Sequence, residues 1–256
     1  MDRRTPESIS VFFPVYNDAR SIGKLVSDVS DVLERRFRRW EIILVDDGSE
    51  DDSGQVVDRL AADDGRIKAV HHGVNRGYGA ALNTGFARST GEVVFYTDGD
   101  GQYDPRELER LLDCLDGADV VNGFKRSRSD HVFRIFEGRL YHACCRALFN
   151  LSVRDIDCDF RLLRRHVVRD LLPLESRGGA VGAEILSKVH DRAWRVAEAP
   201  VHHYPRPYGR SQFFRAWRLA HAVYELARFW FRRGAGGGRP ARRPAAAEPP
   251  AHEDRT

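Results

Sequence analysis

No run of 18 consecutive apolar residues occurs in the 256-residue chain, so no segment reads as a bilayer-spanning helix. The opening MDRRTPESIS lacks the apolar core of a secretory signal, which predicts a cytoplasmic protein. Cysteine is scarce. Cys114, Cys144, Cys145 and Cys158 form no CxxC pair and have no histidine partner at zinc spacing, so they read as reduced packing residues. No repeat recurs at a fixed period, and no RNA- or DNA-binding motif accompanies the arginines, so nucleic acid is not an expected partner.

What is present fits an ordinary globular domain, with 42% hydrophobic and 31% charged residues. The net charge of +3 is unevenly spread. Asp46 to Asp64 holds eight acidic residues and one arginine, whereas His203 to Arg233 holds seven arginines and only Glu225. Two such halves invite different partners.

Short β-branched or aromatic runs at Ile9–Phe13, Ile42–Val45, Ile67–His71, Val93–Tyr96 and Val120–Asn122 alternate with segments of helical length. Crossovers of that kind predict an α/β fold with a mostly parallel sheet flanked by helices. After Asn122 the alternation stops, giving a basic stretch, a helical pattern from Val132 to Asn150 and a turn-rich connector through Asp159. This half reads as appended to the sheet. Residues 234–256 carry too few large apolar groups to offset ordering entropy and read as a disordered tail.

In an open parallel sheet, ligands bind beyond the carboxyl ends of the strands. Three polar loops fall there: Pro14-Val15-Tyr16-Asn17-Asp18, Asp46-Asp47-Gly48-Ser49, and Asp98-Gly99-Asp100-Gly101-Gln102. In an extended stretch alternate side chains share a side, so Asp98, Asp100 and Gln102 can converge on Mg²⁺ or Mn²⁺. Such a cation bridges a diphosphate and neutralises a leaving group; the bland alternative is a solvated Asp/Gly turn. Asp46 and Asp47 can hydrogen-bond a base or ribose, or DDGS can cap a helix. Asn75-Arg76-Gly77-Tyr78-Gly79 has the look of a phosphate-cradling loop, without a Walker lysine pattern or GxGxxG.

FPVYND, EIILVDDGSEDDS, NRGYGAALNTG and DGDGQYDP stand in the order found in family 2 glycosyltransferases, which the chain resembles. The resemblance implies a GT-A type, Rossmann-like fold. DIDCDFRLLRR and APVHHYPRPYGRSQF resemble the polyprenyl-phosphate sugar transferases of the dolichyl-phosphate-mannose synthase kind, over roughly residues 8 to 215. By that resemblance residues 1–233 form one domain, with a nucleotide-sugar half at about 8–123 and an acceptor half at about 124–233. Pro14, Tyr16, Asp18 and Asp47 would hold the nucleoside of a GDP- or UDP-sugar, and Asp98, Asp100 and Gln102 the metal and diphosphate. Arg161 and Glu184 would line the sugar and acceptor side. Arg206, Gly209 and Ser211 match the family's Arg-x-x-Gly-x-Ser-Lys segment, with Gln212 where lysine is usual. Tyr78 likewise replaces a commonly basic residue.

The reaction expected is inverting displacement at the anomeric carbon. Lys125, Arg134 and Arg206 would position an anionic phosphate acceptor, whereas a hydroxyl acceptor needs a base, for which Glu184 is the candidate. Glu184 also reads as an exposed charge on a Val181–Val189 helix. From Phe213 to Arg233, aromatic residues recur at helical spacing opposite Arg215, Arg218, Arg228 and Arg232. That amphipathic helix suits peripheral contact with the inner membrane face, or packing on its own domain. A lipid-phosphate acceptor is the first reading, a soluble acceptor the alternative, and a non-catalytic nucleotide-binding module the third.

Overall fold

The computed structural model describes residues 6–126, 145–146, 148–208 and 224–232. Strands β1 (Ser8–Val15), β2 (Arg39–Asp46), β3 (Ile67–His71) and β4 (Val93–Thr97) are separated by helices α1 (Ile22–Arg36), α2 (Ser53–Asp63) and α3 (Tyr78–Arg88). The strands run parallel in the order β3, β2, β1, β4. Both faces of β1, β2 and β4 are covered, which is why these strands read as largely apolar runs, whereas β3 at the edge exposes Lys68 and His71. Val11, Phe13, Ile42 and Leu44 pack with the α1 stripe of Ile22, Leu25, Val29 and Leu33. Phe12, Ile43 and Val45 pack with Ala81, Leu82 and Phe86 of α3.

The second half departs from the expectation of an appended region. After α4 (Leu108–Asp113) come β5 (Val120–Lys125) and β6 (Phe160–Arg164), then α5 (Arg165–Leu171), α6 (Val181–Asp191) and β7 (Val196–Val201). Strand β6 inserts antiparallel between β4 and β5, and β7 extends the sheet parallel to β5. The pattern hid both strands. FRLLR carries two arginines, and VAEAPV carries a glutamate and a proline, which an edge strand tolerates. Because β6 alone is reversed, its amino end opens on the same edge as the carboxyl ends of the other strands.

Most of the expected Val132–Asn150 helix lies outside the described residues, as do 213–223, the tail, Arg134, Gly209 and Ser211. Residues 224–232 are helical and pack on the domain: Leu226 and Phe229 share a buried cluster with Phe149, Ala183 and Leu186.

Within the sheet, Glu41 ties β2 to its neighbours. It accepts from Ser10 Oγ at 2.6 Å, Thr90 N and Oγ1 at 2.7 Å, and Lys68 Nζ at 2.5 Å. Burial alone would raise its carboxyl pKa, but these donors outweigh burial and hold it at about 2, against an ordinary 4.5. A carboxyl depressed on folding contributes stability above its unfolded pKa, and that stability is lost as pH falls through the folded value. Glu41→Gln is therefore expected to cost roughly 2–3 kcal/mol at pH 7 in urea unfolding. It should also flatten the acid loss between about pH 4.5 and about pH 2. A variant with the parent's acid profile would show that Glu41 is not the linked group.

Candidate active site

The loops at the carboxyl edge are knitted to one another before any ligand is considered. Asn17, with φ of 58°, donates its N–H to Ser49 Oγ at 3.0 Å and accepts from Glu50 N at 2.8 Å. Asp18 N donates to Ser53 Oγ at 2.8 Å, and Ser21 Oγ donates to Gly99 O at 2.6 Å. Gly48, with φ of 69°, turns against the backbone of Val74 and Asn75, where a Cβ would collide. The first, second and fourth strand ends thus form one rigid rim. Pro14 is buried at the end of β1, and Tyr16 is half-buried beside it.

On that rim Asp18, Asp98, Asp100 and Asp159 converge. Burial pushes the Asp98 carboxyl well above the usual range, and the charges of Asp159 and Asp100 push it further. Burial likewise raises Asp100, opposed by the Gln102 N–H and by Arg206. Asp18 is pushed up to about 6 by burial and by Asp100, against the Tyr16 N–H and Arg206. Asp159 also reaches about 6, raised by burial and by Asp157 and Asp155, and opposed by Arg161 and Lys125. It keeps 23% of its side chain exposed.

This is a surplus of oxygen donors with too little positive charge beside them. Among the described residues no three carboxylate, imidazole or thiol groups enclose a metal by themselves. One or two carboxylates that leave the remaining positions to phosphate oxygens and water suit Mg²⁺ or Mn²⁺. Asp98 Oδ1 accepts from Tyr78 OH at 2.7 Å, and Asp100 Oδ1 from Gln102 N at 2.9 Å. Gln102 in turn fastens the segment 202–208 over the rim, its Nε2 donating to Tyr204 O at 3.1 Å. That segment delivers Arg206, whose Nη2 donates to Asp18 Oδ1 at 2.9 Å. Lys125 comes from the end of β5, its Nζ donating to Asp157 O at 3.0 Å. Against the burial that would lower it, Asp155 and its neighbours hold the ammonium pKa up.

Several expected ligands have other work. The carboxylate of Asp47 is buried and receives Arg76 N at 3.0 Å, Gly77 N at 2.8 Å and His72 Nδ1 at 2.6 Å. The amides of the supposed phosphate cradle therefore point at Asp47, which shapes the loop, and the Arg76 side chain is exposed beyond it. Asp46 receives Ser49 N and His71 Nδ1, both at 3.0 Å, and so closes its own loop, while the helix that follows has Asp52 at its N-cap with no side-chain cap bond. Arg161 is fully buried; it donates to Asn122 Oδ1 at 2.7 Å, to Tyr96 OH at 2.6 Å and to Ile156 O. It fixes the loop before β6, and its Nη1 lies 3.6 Å from Asp159 Oδ1. Glu184 is also fully buried and accepts from the amides of Glu175 and Ser176, at 2.8 and 2.7 Å. Its burial overturns the exposed-charge reading.

Sequence reasoning missed Asp159, Asn17 and Ser21. The period-2 spacing of Asp155, Asp157 and Asp159 ahead of an unrecognised strand was the signal for the first.

A family model described as Glycosyl transferase family 2 matches residues 10–172, more than half of the chain. This protein belongs to glycosyl transferase family 2. It is accordingly a glycosyltransferase that uses a nucleotide-sugar, and its sheet is that of the GT-A fold. Among solved structures it is similar to glucosyl-3-phosphoglycerate synthase from Mycobacterium tuberculosis in complex with Mg²⁺ and UDP, at 20% identity and a TM-score of 0.68. That match covers 88% of this chain and 80% of the other. The same enzyme in complex with Mn²⁺, UDP and glucosyl-3-phosphoglycerate gives 21%, 0.69 and the same coverage. A structure described as a mycobacterial protein gives 21% and 0.65, over 89% of this chain and 74% of the other. At these identities the likeness to solved structures speaks for the fold, and the family match carries the chemistry.

Proposed function

We propose that this family 2 glycosyltransferase is metal-dependent and moves a sugar from a UDP-sugar to a soluble acceptor carrying an anionic group. The observation that carries the reading is the meeting of Asp98, Asp100, Asp18 and Asp159 with Lys125 and Arg206 on one rim. Support for the donor and acceptor classes comes from the fold relatives, which were solved with UDP-glucose, Mn²⁺ and phosphoglyceric acid.

Asp98 and Asp100, with the Gln102 carbonyl, would hold a Mg²⁺ or Mn²⁺ ion, which supplies positive charge to the departing nucleoside diphosphate. The acceptor oxygen bonds to the anomeric carbon as the carbon–oxygen bond to the diphosphate breaks on the opposite face, inverting the centre. With Glu184 buried, Asp159 is the carboxylate suited to take the acceptor's proton. Its pKa of about 6 lies near the working pH, as a general base requires. Lys125 orients the acceptor's anionic group, and Arg206 offers a planar fork for phosphate oxygens.

A second reading, transfer to a polyprenyl phosphate at a membrane surface, is favoured by the outer face of residues 224–232. Tyr224, Trp230 and Phe231 are 62%, 41% and 67% exposed there, and Arg228 is exposed among them. No described helix is long and apolar enough to cross a membrane.

The two readings part in one assay. UDP-sugars with Mn²⁺ are offered phosphorylated small molecules in detergent-free buffer, or a polyprenyl phosphate in anionic vesicles, with EDTA as control. Metal-dependent transfer to a soluble phosphorylated acceptor is expected. Transfer to the polyprenyl phosphate alone moves the function to the second reading, and full turnover in EDTA overturns the metal assignment.

A further inference from the structure

Arg206 brings positive charge to the cluster from the segment 202–208 laid over the rim. Its Nη2 lies 2.9 Å from Asp18 Oδ1 and its Nε 3.7 Å from Asp100 Oδ2. The backbone beneath it is fixed. Tyr204 N donates to Gln102 O at 2.8 Å, Tyr103 bridges His203, and Glu107 receives both the N–H and Nδ1 of His202 at 2.7 Å. Pro205 and Pro207 flank the arginine and restrict its neighbours further. The movable part is the side chain, which is 21% exposed and so has a path outward.

We infer that Arg206 is a resident cation that neutralises the carboxylate cluster until the divalent metal arrives, and then transfers its guanidinium to the diphosphate of the donor. The inference rests on the metal-dependent reading above and adds an order of events to it. A metal ligated through Asp100 sits about 2.1 Å from a carboxylate oxygen. That position sets it against the guanidinium, and like charges so close repel. The fork that pairs with a carboxylate also fits a phosphate, and the diphosphate brought with the metal is the nearest new anion. Metal alone must therefore compete with Arg206, whereas metal with nucleotide gains Arg206 as a partner. One side chain would make the two ligands bind cooperatively, as a coupling between them requires.

The test is Mn²⁺ binding followed by electron paramagnetic resonance, for the parent protein, Arg206→Gln and Arg206→Lys, each with and without saturating UDP. Arg206→Gln is expected to bind Mn²⁺ alone about 5- to 10-fold tighter, and Mn²⁺ with UDP several-fold weaker than the parent, so the two effects have opposite signs. Arg206→Lys keeps the charge without the fork. It should fall between the two for Mn²⁺ alone and match Arg206→Gln with UDP. Diffuse loss of positive charge would strengthen Mn²⁺ binding in both states, and that same-sign result overturns the inference, as does no change in either state. A parent protein that binds no Mn²⁺ even with UDP overturns the metal reading itself, and the inference falls with it.

Discussion

Asp100→Asn is expected to lower sugar transfer by roughly 10²–10³-fold while leaving the metal-free fold intact. The substitution removes one anionic donor from the proposed metal site, and with it several kcal/mol of stabilisation for charge on the leaving diphosphate. Little else changes. The amide oxygen of Asn can still accept from Gln102 N, which now bonds Asp100 Oδ1 at 2.9 Å. Arg206 keeps its bond to Asp18. Burial already disfavours the ionised form of Asp100, so removing the charge relieves a cost. Thermal unfolding without metal should therefore stay level or rise slightly. Asp98→Asn should lose activity similarly or less, since its amide oxygen can keep the 2.7 Å bond from Tyr78. Transfer at saturating Mn²⁺ and unfolding in EDTA are the paired measurements. Parent-level transfer by Asp100→Asn would sink the metal assignment.

The parallel core was readable because burial on both faces turns the central strands into apolar words, as in Ile42–Val45, and the crossover helices leave amphipathic stripes between them. The site's carboxylates were readable for a related reason: Asp18, Asp98 and Asp100 follow such strands, where this fold places ligands. What could not be read is which carboxylates face the cleft and which face the protein. Asp46 and Asp47 look like ligands in sequence, yet each finds backbone amides that a short Gly-containing turn brings to it. Arg161, which the resemblance puts on the sugar and acceptor side, is carried into the sheet by β6, where Asn122 and Tyr96 satisfy it. Such pairings join residues tens of positions apart, and no local pattern encodes them. Glu184 was hidden for another reason, because helical spacing alone does not say whether a helix has an exposed face.

Glu184→Ala should be among the most damaging single changes in the molecule, and its damage should appear in stability before catalysis. The carboxylate is fully buried on α6. Oε1 accepts from Glu175 N and lies 2.8 Å from Lys188 Nζ, while Oε2 accepts from Ser176 N. Alanine leaves two amides and an ammonium without that acceptor. Removing one partner of a buried charged network costs roughly 3–5 kcal/mol. At about 2–4 °C per kcal/mol for a chain of this size, the melting temperature should fall by roughly 10 °C. The loop that Glu184 holds also carries Arg177, whose carbonyl accepts from Gly79 N at 3.1 Å at the start of α3. Gly79 packs so closely on Ser176 that any Cβ would clash, which leaves the start of α3 dependent on that loop. Tyr78 and its bond to Asp98 stand on that same first turn. Below the melting range, Glu184→Ala is therefore expected to raise KM for the donor several-fold and to leave the pH profile of kcat unchanged. A general base lost would do the reverse, holding the melting temperature and removing the acidic limb of the profile for hydroxyl acceptors. An unchanged melting temperature with a collapsed kcat would restore Glu184 to the acceptor side and displace Asp159 from the base position.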